Sequence, residues 1–181
     1  MPGKKESSIF FELLGMVQDR EGLLGELASM VTREDKVLDI ATGSGYLAGH
    51  LRGRGAEVTC LDTDAEAVAK AHAYGLKGVV ADASNLPFRD ACFSKVLSWS
   101  AMVHIPRWRR VLKEAFRVSC VGGQVVVLEP RGAFAVRAFR DFASEHEAPQ
   151  PEEVLGELMK YSKPRAIERG FATMILGNKT L

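Results

Sequence analysis

Long apolar runs are missing from this chain: no stretch approaches the roughly 20 consecutive apolar residues that a membrane-spanning helix needs. A secretory leader is not expected at the start of this sequence either, because the short apolar run behind Lys4 and Lys5 is interrupted by Glu12. A cytoplasmic location is the resulting expectation. Cysteine is scarce. Cys60, Cys92 and Cys120 are odd in number, far apart and without a C-x-x-C pair, which argues against a disulfide framework and against a zinc site. Excess charge of one sign is absent too: 24 Lys and Arg against 23 Asp and Glu leave a formal +1, so no global field draws in a polyanion. A nucleic-acid partner is not implied by that balance, and neither internal repeats nor low-complexity segments interrupt the chain. What remains is an ordinary soluble composition, 46% hydrophobic and 26% charged, at a length that suits one domain, residues 1–181.

The pattern along the chain alternates. Ser7 or Ser8 begins a predicted helix with Phe10, Leu13, Leu14 and Val17 on its apolar side, and Asp19 a second with Leu23, Leu24, Leu27 and Val31. These lead-in helices, residues 1–35, suit a lid or simple packing. A core over residues 36–130 follows. Strands are predicted at Val37–Ile40, Glu57–Leu61, Gly78–Ala81, Lys95–Trp99 and Gln124–Leu128. Helices are predicted from Ser44 to Gly53 or Gly55, over Ala65–Ala73, and over Trp108–Val118. Over residues 131–181 the spacing predicts helices at Ala133–Glu147 and Glu152–Tyr161, a short helix from Lys163-Pro164 to Arg169, a last strand over Phe171–Leu176, and a turn at Gly177-Asn178. The fold class is α/β: a Rossmann-like, mostly parallel sheet with helices on both faces.

Ligands of such sheets sit beyond the carboxyl ends of the strands, and the polar residues of interest fall there. Val37-Leu38-Asp39-Ile40-Ala41-Thr42-Gly43-Ser44-Gly45 is a strand ending in a Gly-rich turn, where the backbone can come close to a ligand. Asp39 can hold that loop or a ligand amine. Asp62, followed by Thr63 and Asp64, ends the second strand, where a carboxylate accepts hydrogen bonds from a ribose diol. Asp82-Ala83 ends the third strand ahead of an apolar Leu86-Pro87-Phe88, a combination that suits a flat purine. The turn alone also fits the loose G-x-G-x-x-G/A dinucleotide pattern. A pyrophosphate, however, gains nothing from an acid at the loop, whereas a zwitterionic or cationic ligand does.

These motifs, with Glu114-Ala115-Phe116-Arg117-Val118 and Gly122-Gly123 behind them, resemble the class I S-adenosylmethionine-dependent methyltransferases over about residues 36 to 130. They are most similar to the ubiquinone/menaquinone-biosynthesis-type C-methyltransferases and their small-molecule relatives. The resemblance implies S-adenosyl-L-methionine as cofactor. It further implies that Asp39, Ala41, Thr42, Gly43 and Gly45 meet the methionine portion, Asp62 and Thr63 the ribose, and Asp82 and Ala83 the adenine, with Ser98 and Trp99 lining the sulfonium side. Ala41 stands where many members have glycine, and Ser94 where aspartate is frequent. The family sheet ends in an antiparallel hairpin, and the resemblance leaves that edge incomplete here, because the chain stops at Leu181.

His104, just beyond the fourth strand, is a candidate general base, against the plainer role of bonding the backbone at a loop-to-helix junction. Glu129 and Arg131, ending the fifth strand, are candidates to face an acceptor. Arg107, Arg109, Arg110, Lys113 and Arg117 read as the solvated side of an amphipathic helix. The fourth strand ends in Ser98-Trp99-Ser100, not in an Asn/Asp-Pro-Pro-Tyr/Phe box, and no Pro-Cys nucleophile is present. A small-molecule acceptor is therefore the leading expectation. A nicotinamide-dependent (NAD(P)) oxidoreductase and a non-catalytic cofactor-binding module stand as alternatives.

Overall fold

Four buried residues in a row, Val37 to Ile40, describe a strand covered on both faces, and they form all but the first position of β1 (Lys36–Ile40). The computed structural model describes residues 22–43, 45–131, 149–169 and 172–180. Within them the further strands are β2 (Glu57–Asp62), β3 (Lys77–Val80), β4 (Phe93–Trp99), β5 (Ser119–Pro130), β6 (Arg165–Arg169) and β7 (Ala172–Asn178). The helices are α1 (Leu23–Ser29), α2 (Tyr46–Gly53), α3 (Ala65–Ala73), α4 (Trp108–Val118) and α5 (Pro151–Leu158). The strands form one sheet in the order β3-β2-β1-β4-β5-β7-β6. Parallel partners flank β1, with Val37 opposite Val58 of β2 and Lys95 of β4. β7 runs antiparallel to both β5 and β6.

The period-2 alternation of each strand divides the core. Val37, Cys60 and Leu97 pack on one side with Leu27 and Leu51 from the α1 and α2 helices. Ile40, Val96 and Val127 pack on the other with Leu112 of α4 and Leu158 of α5. Each fully buried leucine contributes about 2 kcal/mol by transfer from water, so neither layer of helices is dispensable.

Local chemistry sets the element ends. Asp64 caps α3, its side chain accepting from the Glu66 N–H at 2.9 Å, and Gly75 turns the chain out at φ 70°. α5 opens with a capping box between Gln150 and Glu153 and with Pro151 in its first turn. β5 is longer than the predicted Gln124–Leu128, because pairing resumes across Gly122-Gly123. A Cβ on Gly123 would lie 2.8 Å from the Cys120 carbonyl oxygen, so only glycine fits that irregularity. Ser94 supplies a hydroxyl that donates to Asp35 at 2.7 Å and accepts from the Lys36 N–H at 3.0 Å, tying β4 to the start of β1.

The C-terminal reading is corrected. Arg165–Arg169 is a strand, not a short helix, and Gly177-Asn178 belongs to β7, not to a turn. Pairing of Ile167 with Met174 outweighs the weak helical preference of Ala166 and Glu168. Both strands of the antiparallel edge are thus formed. The helix predicted over Glu152–Tyr161 spans Pro151–Leu158. α1 begins after Gly22, which sits in the left-handed region. The proposed Asp19 cap, the helix from Ser7 or Ser8 and the helix at Ala133–Glu147 lie outside the described residues.

Candidate functional site

The sheet order reverses at β1, whose chain leads to β2 and β3 on one side while β4 and β5 lie on the other. This is the place where an open parallel sheet offers a crevice. Beyond β1 the backbone turns through two left-handed positions, Ala41 at φ 55° and Gly43 at φ 53°, and enters α2 from Gly45 at φ 78°. A Cβ added to Gly43 or Gly45 would meet nothing within 4 Å, so open space lies directly over the turn.

Hydrogen bonds fix the turn from beneath. The Thr42 hydroxyl donates to Asp39 at 2.6 Å, and the Thr42 N–H donates to the Leu61 carbonyl at 3.1 Å. The Gly43 N–H donates to Asp62 Oδ2 at 2.9 Å, and the Asp64 N–H to Asp62 Oδ1 at 3.0 Å. Each Asp62 oxygen keeps a further acceptor position on the half-buried side chain. Asp39 is only 2% exposed, and its carboxyl is pushed up to about 7 by burial, with the nearby Asp62 charge adding to the effect and the Thr42 hydroxyl opposing it. Asp62 therefore borders the turn with acceptor positions to spare, Asp39 lies buried beneath it, and the Gly43 N–H is already engaged. That set suits a ligand carrying an ammonium and a diol, and it leaves a pyrophosphate without the Gly43 donor it would use.

Asp39, Thr42, Gly43, Gly45 and Asp62 are thus joined in one hydrogen-bonded unit, with the left-handed Ala41 inside the same turn and the exposed Thr63 next to it. Asp82 and Ala83 stand one strand over. Asp82 is exposed and caps a 3-10 turn (Ala83–Asn85), accepting from the Ser84 N–H at 2.7 Å and its hydroxyl at 2.9 Å. The Ser84 backbone bond, then its hydroxyl, with Arg107 and Arg110 nearby, holds the Asp82 carboxyl below its usual range. The two residues ending β4 part company. Trp99 is half-buried and packs toward the α2 side, whereas Ser98 pairs with Ile40 and Val127 on the α4 side and is buried. His104 closes a 3-10 turn (Met102–His104), its N–H donating to the Ala101 carbonyl at 2.9 Å.

Sequence reasoning missed how α4 braces the site wall. Glu114 accepts from the Leu86 N–H at 2.9 Å, while Arg117 donates to the Leu86 and Phe88 carbonyls at 3.0 and 2.8 Å. Arg117 also bonds Glu114 and Asp90, which raises the guanidinium further and holds the Glu114 carboxyl low. The Glu114-Ala115-Phe116-Arg117 motif is a clamp on Leu86-Pro87-Phe88. An Arg three residues after a Glu on a helix was the available signal, but its target lay in another segment.

Residues 38–127 match the family model described as a methyltransferase domain. A demethylmenaquinone methyltransferase of Thermus thermophilus is 39% identical over 113 residues, 56% of this chain and 51% of that protein. A malonyl-[acyl-carrier protein] O-methyltransferase of Erwinia billingiae is 38% identical over 105 residues, covering 56% and 42%. The chain spans about half the length of the curated relatives it matches. Among solved structures, a SAM-dependent methyltransferase of Methanosarcina mazei superposes with a TM-score of 0.68 at 20% identity, over 86% of this chain and 97% of that one. By the family model and these matches, the chain belongs to the class I S-adenosylmethionine-dependent methyltransferases, and its sequence is similar to those of the quinone-biosynthesis type.

Proposed function

We propose that this chain transfers a methyl group from S-adenosylmethionine to a small-molecule acceptor. The observation that carries the reading is the hydrogen-bonded unit of Asp39, Thr42, Gly43 and Asp62, with open space above the two glycines. Bound there, the cofactor supplies an electrophilic methyl on a sulfonium, so the protein's task is binding, alignment and exclusion of water.

Asp39 and Asp62 favour a cationic head group at the turn, and Ala41, Thr42, Gly43 and Gly45 admit the methionine end. Asp62, with Thr63 beside it, accepts from the ribose hydroxyls. Asp82 and Ala83 meet the adenine against Leu86, which Glu114 and Arg117 hold in place. Trp99 walls the sulfonium side, with Ser98 behind it. His104 is the group that takes a proton from an acceptor that must lose one. The names of relatives, a demethylmenaquinone and a malonyl-carrier methyltransferase, support small organic acceptors over nucleic acid.

Calorimetric titration tests the cofactor half. Saturable binding of S-adenosylhomocysteine and none of NADH is expected. The reverse would replace the reading with a nicotinamide oxidoreductase. Turnover is then sought by S-adenosylhomocysteine release against a panel of hydroquinones, carboxylates and small amines. Binding without release over that panel would leave a cofactor-binding module.

A further inference from the structure

The far end of β5 carries a group that the cofactor cradle does not use. Glu129 is fully buried, and its Oε1 accepts from the Met102 N–H at 3.0 Å, with the Val103 and Ala101 N–H groups also turned toward the carboxyl. Its Oε2 has no hydrogen-bond partner among the described residues. The same holds for Ser98 Oγ on β4 and Thr173 Oγ1 on β7. Register puts these three on one face: Glu129 is paired with Thr173, and Ser98 with Val127, two residues before Glu129. Three orphaned oxygens side by side on a dry face are a cost that most sheets avoid. A carboxyl is found among them where an apolar residue would fill the space more cheaply.

The segment that Glu129 touches is the one between β4 and α4. It begins at Ser100, which is buried and held left-handed at φ 51°, and whose N–H donates to the Leu128 carbonyl at 2.6 Å. It continues through the 3-10 turn that ends at His104. A strained entry persists where surrounding bonds over-determine it, and two bonds to this segment, Leu128 at Ser100 and Glu129 at Met102, come from the end of β5. We propose that Glu129 is a positioning residue: through the bond its carboxyl accepts from the Met102 N–H it ties the β4–α4 segment to β5 and so sets the place of His104 on the acceptor side. Burial pushes the Glu129 carboxyl up to about 8, against the three backbone donors, so the group is an acid at neutral pH, with an O–H to offer Ser98 or Thr173. Among the described residues, the titratable and charged groups on the elements that hold it are His104 on the braced turn, and Glu168 of β6, which lies across Thr173 and is paired with Arg131.

The importance of the tie for turnover rests on the proposed methyltransferase function, but the tie itself can be read without it. Amide hydrogen exchange of Met102 and Val103 is compared in the unmodified protein, Glu129→Gln and Glu129→Ala, alongside S-adenosylhomocysteine binding. Glu129→Ala should speed exchange at these amides roughly 10-fold or more, the scale of a lost buried hydrogen bond, and leave the dissociation constant within about threefold. Glu129→Gln keeps the acceptor oxygen and should restore protection. In the unmodified protein, exchange should exceed its intrinsic base dependence between about pH 5 and about pH 8, where the opened segment ionises the carboxyl that the closed one keeps protonated, and follow the intrinsic dependence above that; in Glu129→Gln no such excess should appear. With an acceptor from the panel, kcat should fall roughly 10- to 100-fold in Glu129→Ala and recover in Glu129→Gln.

Unaltered exchange in Glu129→Ala overturns the proposal, as does equal loss of cofactor binding and turnover in both variants, because that marks Glu129 as structural only. An unmodified protein that turns nothing over removes the methyltransferase reading, and the exchange profile then still decides the tie. If Glu129→Ala fails to fold, the pH series on the unmodified protein and Glu129→Gln carries the decision.

Discussion

Asp39 is a carboxyl group shut away from water, with one short bond to Thr42 and a second acid close by. Its raised pKa, about 7, places its charge change where the proposed ligand's ammonium would sense it. S-adenosylhomocysteine affinity should therefore strengthen from pH 6 to pH 8 and flatten in Asp39→Asn, as measured by calorimetry; an equal slope in both proteins would count against the contact. Asp62 carries two jobs, holding the Gly43 and Asp64 amides and meeting the ribose. Asp62→Ala should weaken cofactor binding by about 1–3 kcal/mol, the cost of a lost charged hydrogen bond. Ala41 adopts a left-handed conformation that costs a non-glycine residue about 1 kcal/mol. Ala41→Gly relieves that strain against a partly compensating gain in unfolded-chain freedom. Urea denaturation should show it more stable by a few tenths to about 1 kcal/mol. At this scale the site was legible: Gly43, Asp62 and Asp82 announce themselves as residue types at strand ends. The burial of Ser98 was not, because facing depends on register, and a shift of one position reverses it.

Among elements, α4 was readable from end to end, since Trp108, Val111, Leu112, Ala115 and Phe116 mark one helical face and all are buried. What it does was hidden, because its targets lie about 30 residues upstream, at Leu86 and Phe88. The clamp predicts its own sensitivity. Arg117→Ala should destabilise the fold by about 2–3 kcal/mol in chemical denaturation, through several charged hydrogen bonds lost at once. Arg117→Lys should recover less than half of that, since an ammonium cannot reproduce the guanidinium fork. β6 was the least legible element. Its sequence, Arg-Ala-Ile-Glu-Arg, has neither β-branched density nor a helix cap, and only its partner β7 decides its state.

For the whole molecule, two buried acids with raised pKa values set the direction of the pH response. Asp39 and Glu129 bind protons more tightly in the folded chain than in the unfolded one, where they titrate near 4. Between about pH 4 and pH 8 the native state therefore holds more protons, and stability falls as pH rises through that window. Their share is fully present below the unfolded values and gone above about 8. Thermal unfolding across this range should show a declining Tm, with a shallower decline in Asp39→Asn combined with Glu129→Gln; a rising Tm would show that other groups dominate. The alternation of strands and helices was enough to read the fold class, because apolar period and glycine punctuation act locally. Strand order and the division of the core into two faces needed the assembled sheet.

The insertion of β7 between β5 and β6 also constrains the order of assembly. Its partner residues on β5 lie far back in the chain, Gln124 opposite Asn178, so β5 presents an open, apolar edge until the chain has been made through residue 178. Such edges recruit other chains. A nascent or truncated form lacking Ala172–Asn178 should thus expose Val125 and Val127 to wrong partners, and its fate would rest on chaperone capture more than on the stability of the parallel core.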